Sequence, residues 1–488
     1  MSTGFATAGA NHLNHPEMEG FIERHGVRIS KALGVTGIAL YVSFVLISNH
    51  PCCRSSWSFL MPDRHRPSPS PDHGSSTPTN IHHIAFGIAG SVNTWSYRGA
   101  YVDLWWRPNQ TRGFVWLDRA PIEYPWPATS PPFRVSEGTG RFRGYDRHKM
   151  PFAVRMTRVV LESYRAGMDG VRWFVMADDD TVLFLDNLVE VLRKYDHTAY
   201  FYVGGRSECV SQNAQHSFGM AFGGAGYAMS SPLVRELARI LDGCLTRYPD
   251  LYGSDHVLQS CLAELGVSLT TEPGFHQIDL RGDISGLLSA HPHAPLLSLH
   301  HLDYVEPIFP SMTRQESVRH LMVAAAVDSS RLLQQAVCYD RRANWSLSAS
   351  WGYSVQLYEK IYPPHLLHIP IQTFLPWKNT ARPPFLFNVR PASRHPCEAP
   401  HVFFFHSLAA VGRGYIVTDY LRRTPRDLPA CGNHSADGVS AVRIFSPASR
   451  FKWGRGGSRR ECCEVLPSSA NHVTEIRIRT CRENETME

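Results

Sequence analysis

Three consecutive aspartates, Asp178, Asp179 and Asp180, follow the apolar run Val171 to Ala177 and precede a helix expected from Asp186 onwards. Side chains of an extended chain alternate with period 2, so Asp178 and Asp180 share one face while Asp179 takes the other. Two carboxylates on one face at the end of a buried strand are hard oxygen ligands for Mn²⁺ or Mg²⁺, with positions left open for substrate phosphate oxygens. Three like charges directly after Trp173-Phe174-Val175-Met176 are costly without a cation, which favours metal binding over a solvated acidic turn. A further acid, Asp255, opens a helical stripe of Val257, Leu258, Cys261, Leu262 and Leu265, with Ser254 as the expected N-cap and Gly266 as the stop. At that helix mouth the dipole is expected to keep Asp255 ionised, available as a general base. Phe222 to Ser230 places Gly223, Gly224, Ala225 and Gly226 ahead of a helix starting near Ser231-Pro232, so backbone can approach a ligand there. The spacing fits neither the dinucleotide fingerprint nor the P-loop. His300 and His301 follow LLSL, and a strand carrying both turns one to each face, so only one can serve a given metal.

The elements that must hold these groups read as an α/β alternation from Ile81 onwards. Strands are expected over Ile81 to Gly90, over Gly113 to Asp118 (ending in the acid Asp118) and over Val171 to Ala177. Helices are expected over Tyr97 to Trp106 and Met150 to Gly167. After about His320 short β-like runs such as HVFFFHSLAAV and HVTEIRIRT alternate with turn residues, which predicts a second, β-rich domain. The 488 residues carry 43% hydrophobic, 11% aromatic and only 19% charged residues, a composition that excludes global disorder. No triplet, heptad or longer repeat is present, so collagen, coiled coil and solenoid are excluded. A net charge of +6, spread along the chain, gives no clustered basic face for nucleic acid.

Ala32 to Ser48 is an uncharged apolar stretch at the lower limit for spanning a bilayer, preceded by Arg24, Arg28 and Lys31. A Pro/Ser-rich stretch with Pro62, Pro67, Pro69, Pro71 and Pro78 follows. The expected layout is a cytoplasmic tail over 1–31, a signal anchor over 32–48, a stem over 49–80, a catalytic domain over 81–320 and the β-rich domain over 321–488. This is the layout of a single-pass resident of the secretory pathway with its body in the lumen, and the expected location is the Golgi membrane in type II orientation. Sequons at Asn109, Asn344, Asn433 and Asn484 all lie beyond the anchor. In an oxidising lumen Cys244 and Cys261, flanking the Asp255 segment, are expected to form a disulfide. Nine cysteines run from Cys209 to Cys481, an odd number that leaves one free or paired between chains.

WFVMADDD, FGGAGYAMS, YGSDHVLQSCLAELGV and SLHHLD, in that order over Ile81 to about Arg319, resemble the Fringe-like β-1,3-glycosyltransferases of glycosyltransferase family 31, most closely their plant relatives with a C-terminal extension. The resemblance implies a GT-A fold, a UDP-sugar donor, a glycan or glycoprotein acceptor, Mn²⁺ or Mg²⁺ as cofactor, and inversion at the anomeric carbon. Position by position it implies that Asp178, Asp179 and Asp180 are the acidic triplet that meets metal and donor, that His300 or His301 is a later metal ligand, and that Gly223, Gly224, Ala225 and Gly226, with Asp118, lie beside the substrates. It implies that Asp255 is the catalytic base, although Ser254 and His256 flank it where the family commonly carries a second acid. The competing expectation is a catalytically silent Golgi glycan-binding or scaffold protein that kept the fold.

Overall fold

The computed structural model describes Tyr41 and residues 77–487, except 123–124, 146–149, 413, 433–434, 449–452, 454–458 and 468–471. The expected anchor over 32–48 lies, Tyr41 apart, outside the described residues, among which no helix is long and apolar enough to cross a membrane. From Thr77 the chain forms one compact mixed α/β unit containing several sheets.

The expected strand–helix alternation is present as β1 (Ile84–Ala89), α1 (Val92–Asp103), β2 (Arg112–Leu117), β3 (Phe133–Val135), α2 (Pro151–Arg165) and β4 (Trp173–Asp178). Two boundaries differ from the sequence reading. Residues 81–83 form a single 3₁₀ turn before β1, and α1 begins at Val92, not near Tyr97. The reason is Ser91, whose hydroxyl accepts from the Asn93 and Thr94 N–H groups while the Thr94 side chain returns to the Ser91 backbone, a capping box. There follow α3 (Leu185–Leu192), β5 (Tyr202–Gly204), β6 (Tyr227–Ser230), α4 (Ser231–Arg247), α5 (Gly253–Glu264), β7 (Leu269–Thr271) and α6 (Arg314–Asp328).

The seven strands form one sheet in the order β3-β2-β1-β4-β6-β5-β7. Only β6 runs against its neighbours β4 and β5; the other pairs are parallel. The carboxyl ends of β4, β5 and β7 therefore lie along one edge, and Asp178 ends β4 there. Alternate residues of each strand face opposite ways. Phe86, Ile88 and Val175 join one core, while Ala85, Phe174 and Met176 join another with Val154, Leu233, Leu237 and Leu258 of α2, α4 and α5.

Eight later strands form a second sheet: β8 (Gln335–Asp340), β9 (Trp345–Ser350), β10 (Ser354–Tyr358), β11 (His401–Val411), β12 (Tyr415–Arg422), β13 (Ala441–Pro447), β14 (Cys462–Leu466) and β15 (Val473–Arg479). Their order is β8-β9-β10-β11-β12-β13-β15-β14, antiparallel except for β13 beside β15. One apolar cluster contains Ile84 and Phe86 of β1 together with Phe403, Ile444 and Ile476 of this sheet. The short strand Leu280–Gly282 also pairs with Phe374–Pro376, tying the last third of the chain to the first sheet's side.

The disulfide expected between Cys244 and Cys261 is present and links α4 to α5. Cys338–Cys463, Cys397–Cys431 and Cys462–Cys481 staple the second sheet and its loops. The odd cysteine is Cys209, a buried free thiol beside the Ser211 hydroxyl and the Lys378 carbonyl.

Candidate functional site

Asp178, Asp180 and His300 converge, with one donor atom from each lying within 4.8 Å of the others. The His300 Nε2 is 3.0 Å from Asp180 Oδ1 and 4.0 Å from Asp178 Oδ2. Asp178 closes β4, the chain turns through Asp179 and Asp180, and His300 follows the short strand Ser298–Leu299, which Val182–Leu183 and Phe275–His276 flank. Asp179 points elsewhere, to the Thr94 hydroxyl and to Arg98 at 3.4 Å. Arg98 also reaches Asp180 at 3.2 Å and Asp303 at 3.4 Å. Thr94 and Arg98 stand four residues apart on α1, hence on one helical face.

Burial pushes the Asp178 carboxyl up to about 7, with the neighbouring carboxylates adding to the effect and His300 opposing it. For Asp180 burial acts in the same upward direction but loses to the charges of His300 and Arg98, so its carboxyl is held well below the usual range. His300 is raised to about 9, since its attraction to Asp180 overcomes the cost of burial. Among the described residues, both Asp180 carboxylate oxygens are buried and meet only the His300 and Arg98 cations, and His300 Nδ1 is buried without a hydrogen-bond partner. Two carboxylates and an imidazole whose donor atoms converge fit a divalent cation of the Mn²⁺ or Mg²⁺ class.

His301 does not join them. Its Nδ1 is 3.1 Å from Asp279 Oδ1, and its ring stacks on Trp377 with centroids 5.0 Å apart. The backbone explains this: the strand ends at Leu299, and His301 has φ +56°, so the two rings leave the chain in directions a regular alternation would not give. Of the two expected histidines, the structure brings His300 to the carboxylates and assigns His301 to Asp279. A second His/acid group, Glu359, His401 and Asp437, is already met by Arg426 at 3.4 Å to Glu359 and 3.3 Å to Asp437.

Gly223–Ala225 form a 3₁₀ turn, and Gly226, at φ +82°, leads into β6. The strand β6 carries this loop to the helix that begins, as expected, at Ser231-Pro232. The turn is fastened to the acidic triplet by Thr181, whose hydroxyl accepts from the Asp178 N–H at 2.9 Å and donates to the Gly224 carbonyl at 2.8 Å. It is fastened to Asp255 as well, because the Gly223 N–H donates to Asp255 Oδ2 at 2.9 Å.

Asp255 lies in the first turn of α5, but Tyr252 is the N-cap and Ser254 a helical residue whose hydroxyl sits 3.3 Å from Asp255 Oδ1. Its carboxyl is raised by burial, with the Gly223 N–H and Ser254 partly offsetting that rise. The expectation that the helix dipole holds it down is therefore corrected: desolvation at this mouth outweighs a dipole contribution of ~0.3–1 kcal/mol. Asp118 directly follows β2, where it accepts from the Val92 N–H at 2.9 Å at the start of α1.

Arg98, Thr94 and Trp377 were not singled out from the sequence. The displaced start of α1 hid the Thr94/Arg98 spacing, and Trp377 reaches His301 from a segment some 75 residues further on, for which no local pattern exists.

A family model described as "Protein of unknown function, DUF604" matches residues 212–463, just over half of the chain. A human "Beta-1,3-glucosyltransferase" is 30% identical over 122 residues, 25% of this chain and 24% of that protein. The mouse "Beta-1,3-glucosyltransferase" is 31% identical over 107 residues, 22% of this chain and 21% of its own length. The chicken "Beta-1,3-N-acetylglucosaminyltransferase lunatic fringe" is 31% identical over 124 residues, 22% of this chain and 33% of that protein. The chain thus spans between a fifth and a third of the length of these relatives, and the Fringe-like resemblance carried by its four motifs is borne out.

Proposed function

Because this chain belongs to the DUF604 family and shares a segment with β-1,3-glycosyltransferases, we propose that it is an inverting, metal-dependent glycosyltransferase of GT-A fold. It would move a sugar from a UDP-sugar to a hydroxyl of a glycan or glycoprotein, forming a β-1,3 linkage in the Golgi lumen. The observation that carries the reading is the tie between its two halves: one turn, Gly223-Gly224, holds Asp255 through the Gly223 N–H and Asp178 through Thr181.

A divalent cation on Asp178, Asp180 and His300 would neutralise the leaving nucleotide diphosphate. Arg98 bears on Asp179, Asp180 and Asp303, which keeps the triplet's charge compensated and its side chains oriented. Asp255 takes the proton of the acceptor hydroxyl, and burial makes it a stronger base than an exposed carboxylate. The Gly223 N–H on Oδ2 and the Ser254 hydroxyl on Oδ1 together fix the orientation of the carboxylate. One base suffices for direct displacement with inversion, whereas a retaining glycosidase needs two carboxyl groups in matched roles.

The test is incubation of the full chain with Mn²⁺, a panel of UDP-sugars and candidate acceptors, with the product's anomeric configuration read by NMR. Sugar-nucleotide consumption without an acceptor product, or no consumption across the panel by a chain that binds Mn²⁺ and UDP, would defeat the transferase reading and leave the glycan-binding alternative.

A further inference from the structure

A cavity of about 430 Å³ lies at the carboxyl ends of β5 and β7, at the same sheet edge as Asp178 yet lined by none of the site residues described above. Residues following both strands line it, together with residues 368–370, 386–388 and Arg460 from the last third of the chain. Its volume is that of a small-molecule site. Phe275, Leu287, Pro292, Ile369, Leu386 and Phe387 give it apolar walls.

The two acids in its lining are spent on protein partners. Glu272 is engaged by Lys194 and the Tyr195 hydroxyl. Glu208 accepts from the Ile278 N–H at 2.8 Å and lies 2.9 Å from His276 Nδ1. His276 Nε2 is in turn 2.9 Å from His291 Nε2, and His291 Nδ1 is 2.8 Å from the Pro292 carbonyl. A carbonyl can only accept, so His291 donates through Nδ1 and must accept through Nε2 from His276 Nε2–H. His276 then meets Glu208 with its other nitrogen.

The arginines are not spent in this way. Arg460 donates to the Gln335 carbonyl at 3.4 Å and Arg206 to the Phe218 carbonyl at 2.8 Å, and among the described residues neither has a carboxylate partner. Burial pulls the Arg460 guanidinium down to about 10, still charged at neutral pH. Beside it His368 Nε2 is buried without a hydrogen-bond partner. A desolvated cation lacking a counter-charge is costly, and a ligand that supplies one is correspondingly favoured.

We propose that this cavity binds a small organic anion, its acid group against Arg460 and its aromatic or aliphatic frame against Phe275, Leu287 and Phe387. The fork of a guanidinium suits a planar or tetrahedral acid group, and the apolar walls favour an anion that carries an organic frame.

Calorimetry on the full chain with naphthalene-2-sulfonate and its uncharged counterpart naphthalene-2-methanol tests this. The sulfonate is expected to bind one to one, at least tenfold more tightly than the alcohol, and Arg460→Gln to bring it down to the alcohol's level. Equal affinity for the two probes, no saturable sulfonate binding, or wild-type sulfonate affinity in Arg460→Gln overturns the proposal. Should circular dichroism show that Arg460→Gln is unfolded, the comparison of the two probes on the wild-type chain decides alone.

Discussion

The ring of His300 occupies the space in which a β-carbon on Gly224 would stand: such an atom would lie 2.0 Å from Cε1 and 2.4 Å from Nδ1 of the imidazole. The neighbouring glycine is in the same position toward the base, since a β-carbon on Gly223 would come within 2.4 Å of Asp255 Oδ1. Two adjacent residues without side chains therefore separate His300 from Asp255, and each borders one of them.

This arrangement predicts two separable defects. Gly224→Ala is expected to displace His300 and weaken Mn²⁺ binding by tenfold or more. Gly223→Ala is expected to displace Asp255, lowering turnover while Mn²⁺ affinity stays within a few-fold. Each costs ~1–3 kcal/mol of stability through overpacking. Mn²⁺ titration and transfer rate on both variants check the pattern, and an identical profile for the two would refute it.

Asp180→Asn removes a ligand charge but keeps the shape of a side chain that is almost wholly buried. Mn²⁺-dependent UDP binding is expected to be lost, with the thermal transition moved only slightly. Unchanged Mn²⁺-dependent UDP affinity in the variant would remove Asp180 from the metal site.

Asp255→Asn is expected to lower the transfer rate by roughly 10²–10⁴ while leaving Mn²⁺ and UDP affinity in place. The raised carboxyl of Asp255 has two further consequences of definite sign. The base must be ionised to act, so the rate falls as pH drops through a value above the ordinary carboxylate pKa of about 3.9. An acid whose folded pKa is raised opposes folding above its unfolded pKa, so Asp255→Asn should be neutral or stabilising near pH 7. A marked loss of thermal stability at that pH would mark Asp255 as a structural residue.

The Cys244–Cys261 disulfide joins α4 to α5, the helix that carries Asp255. Closing a loop of this size contributes about 3 kcal/mol in the chain-entropy model. Cys244→Ala is expected to lower stability by that order, read by chemical denaturation, and non-reducing peptide mapping of the wild type should recover the linked pair.

The sequence made the acidic triplet legible because three charges after a buried strand have few inexpensive fates, and Asp255 because its helix has a clear stripe. Cys244–Cys261 was legible for the same local reason. The choice between His300 and His301 was not, since it depends on a strand that ends one residue early and on the φ +56° of His301. The elevated basicity of Asp255 was hidden too, because desolvation is a property of what packs around a residue. Arg98 comes from 80 residues before Asp178 and Trp377 from 76 residues after His301, distances over which periodicity carries no information.

The pairing of Leu280–Gly282 with Phe374–Pro376, and the apolar cluster common to both sheets, set a timetable for synthesis. The triplet, Asp255 and His300 all leave the ribosome before their covering strands exist. At ~5–20 residues per second, roughly ninety residues separate the two paired strands by about 5–20 s. For that interval an open strand and one side of the core face solvent. A nascent chain stalled or cut within the window would leave that strand edge and that apolar face open to another chain.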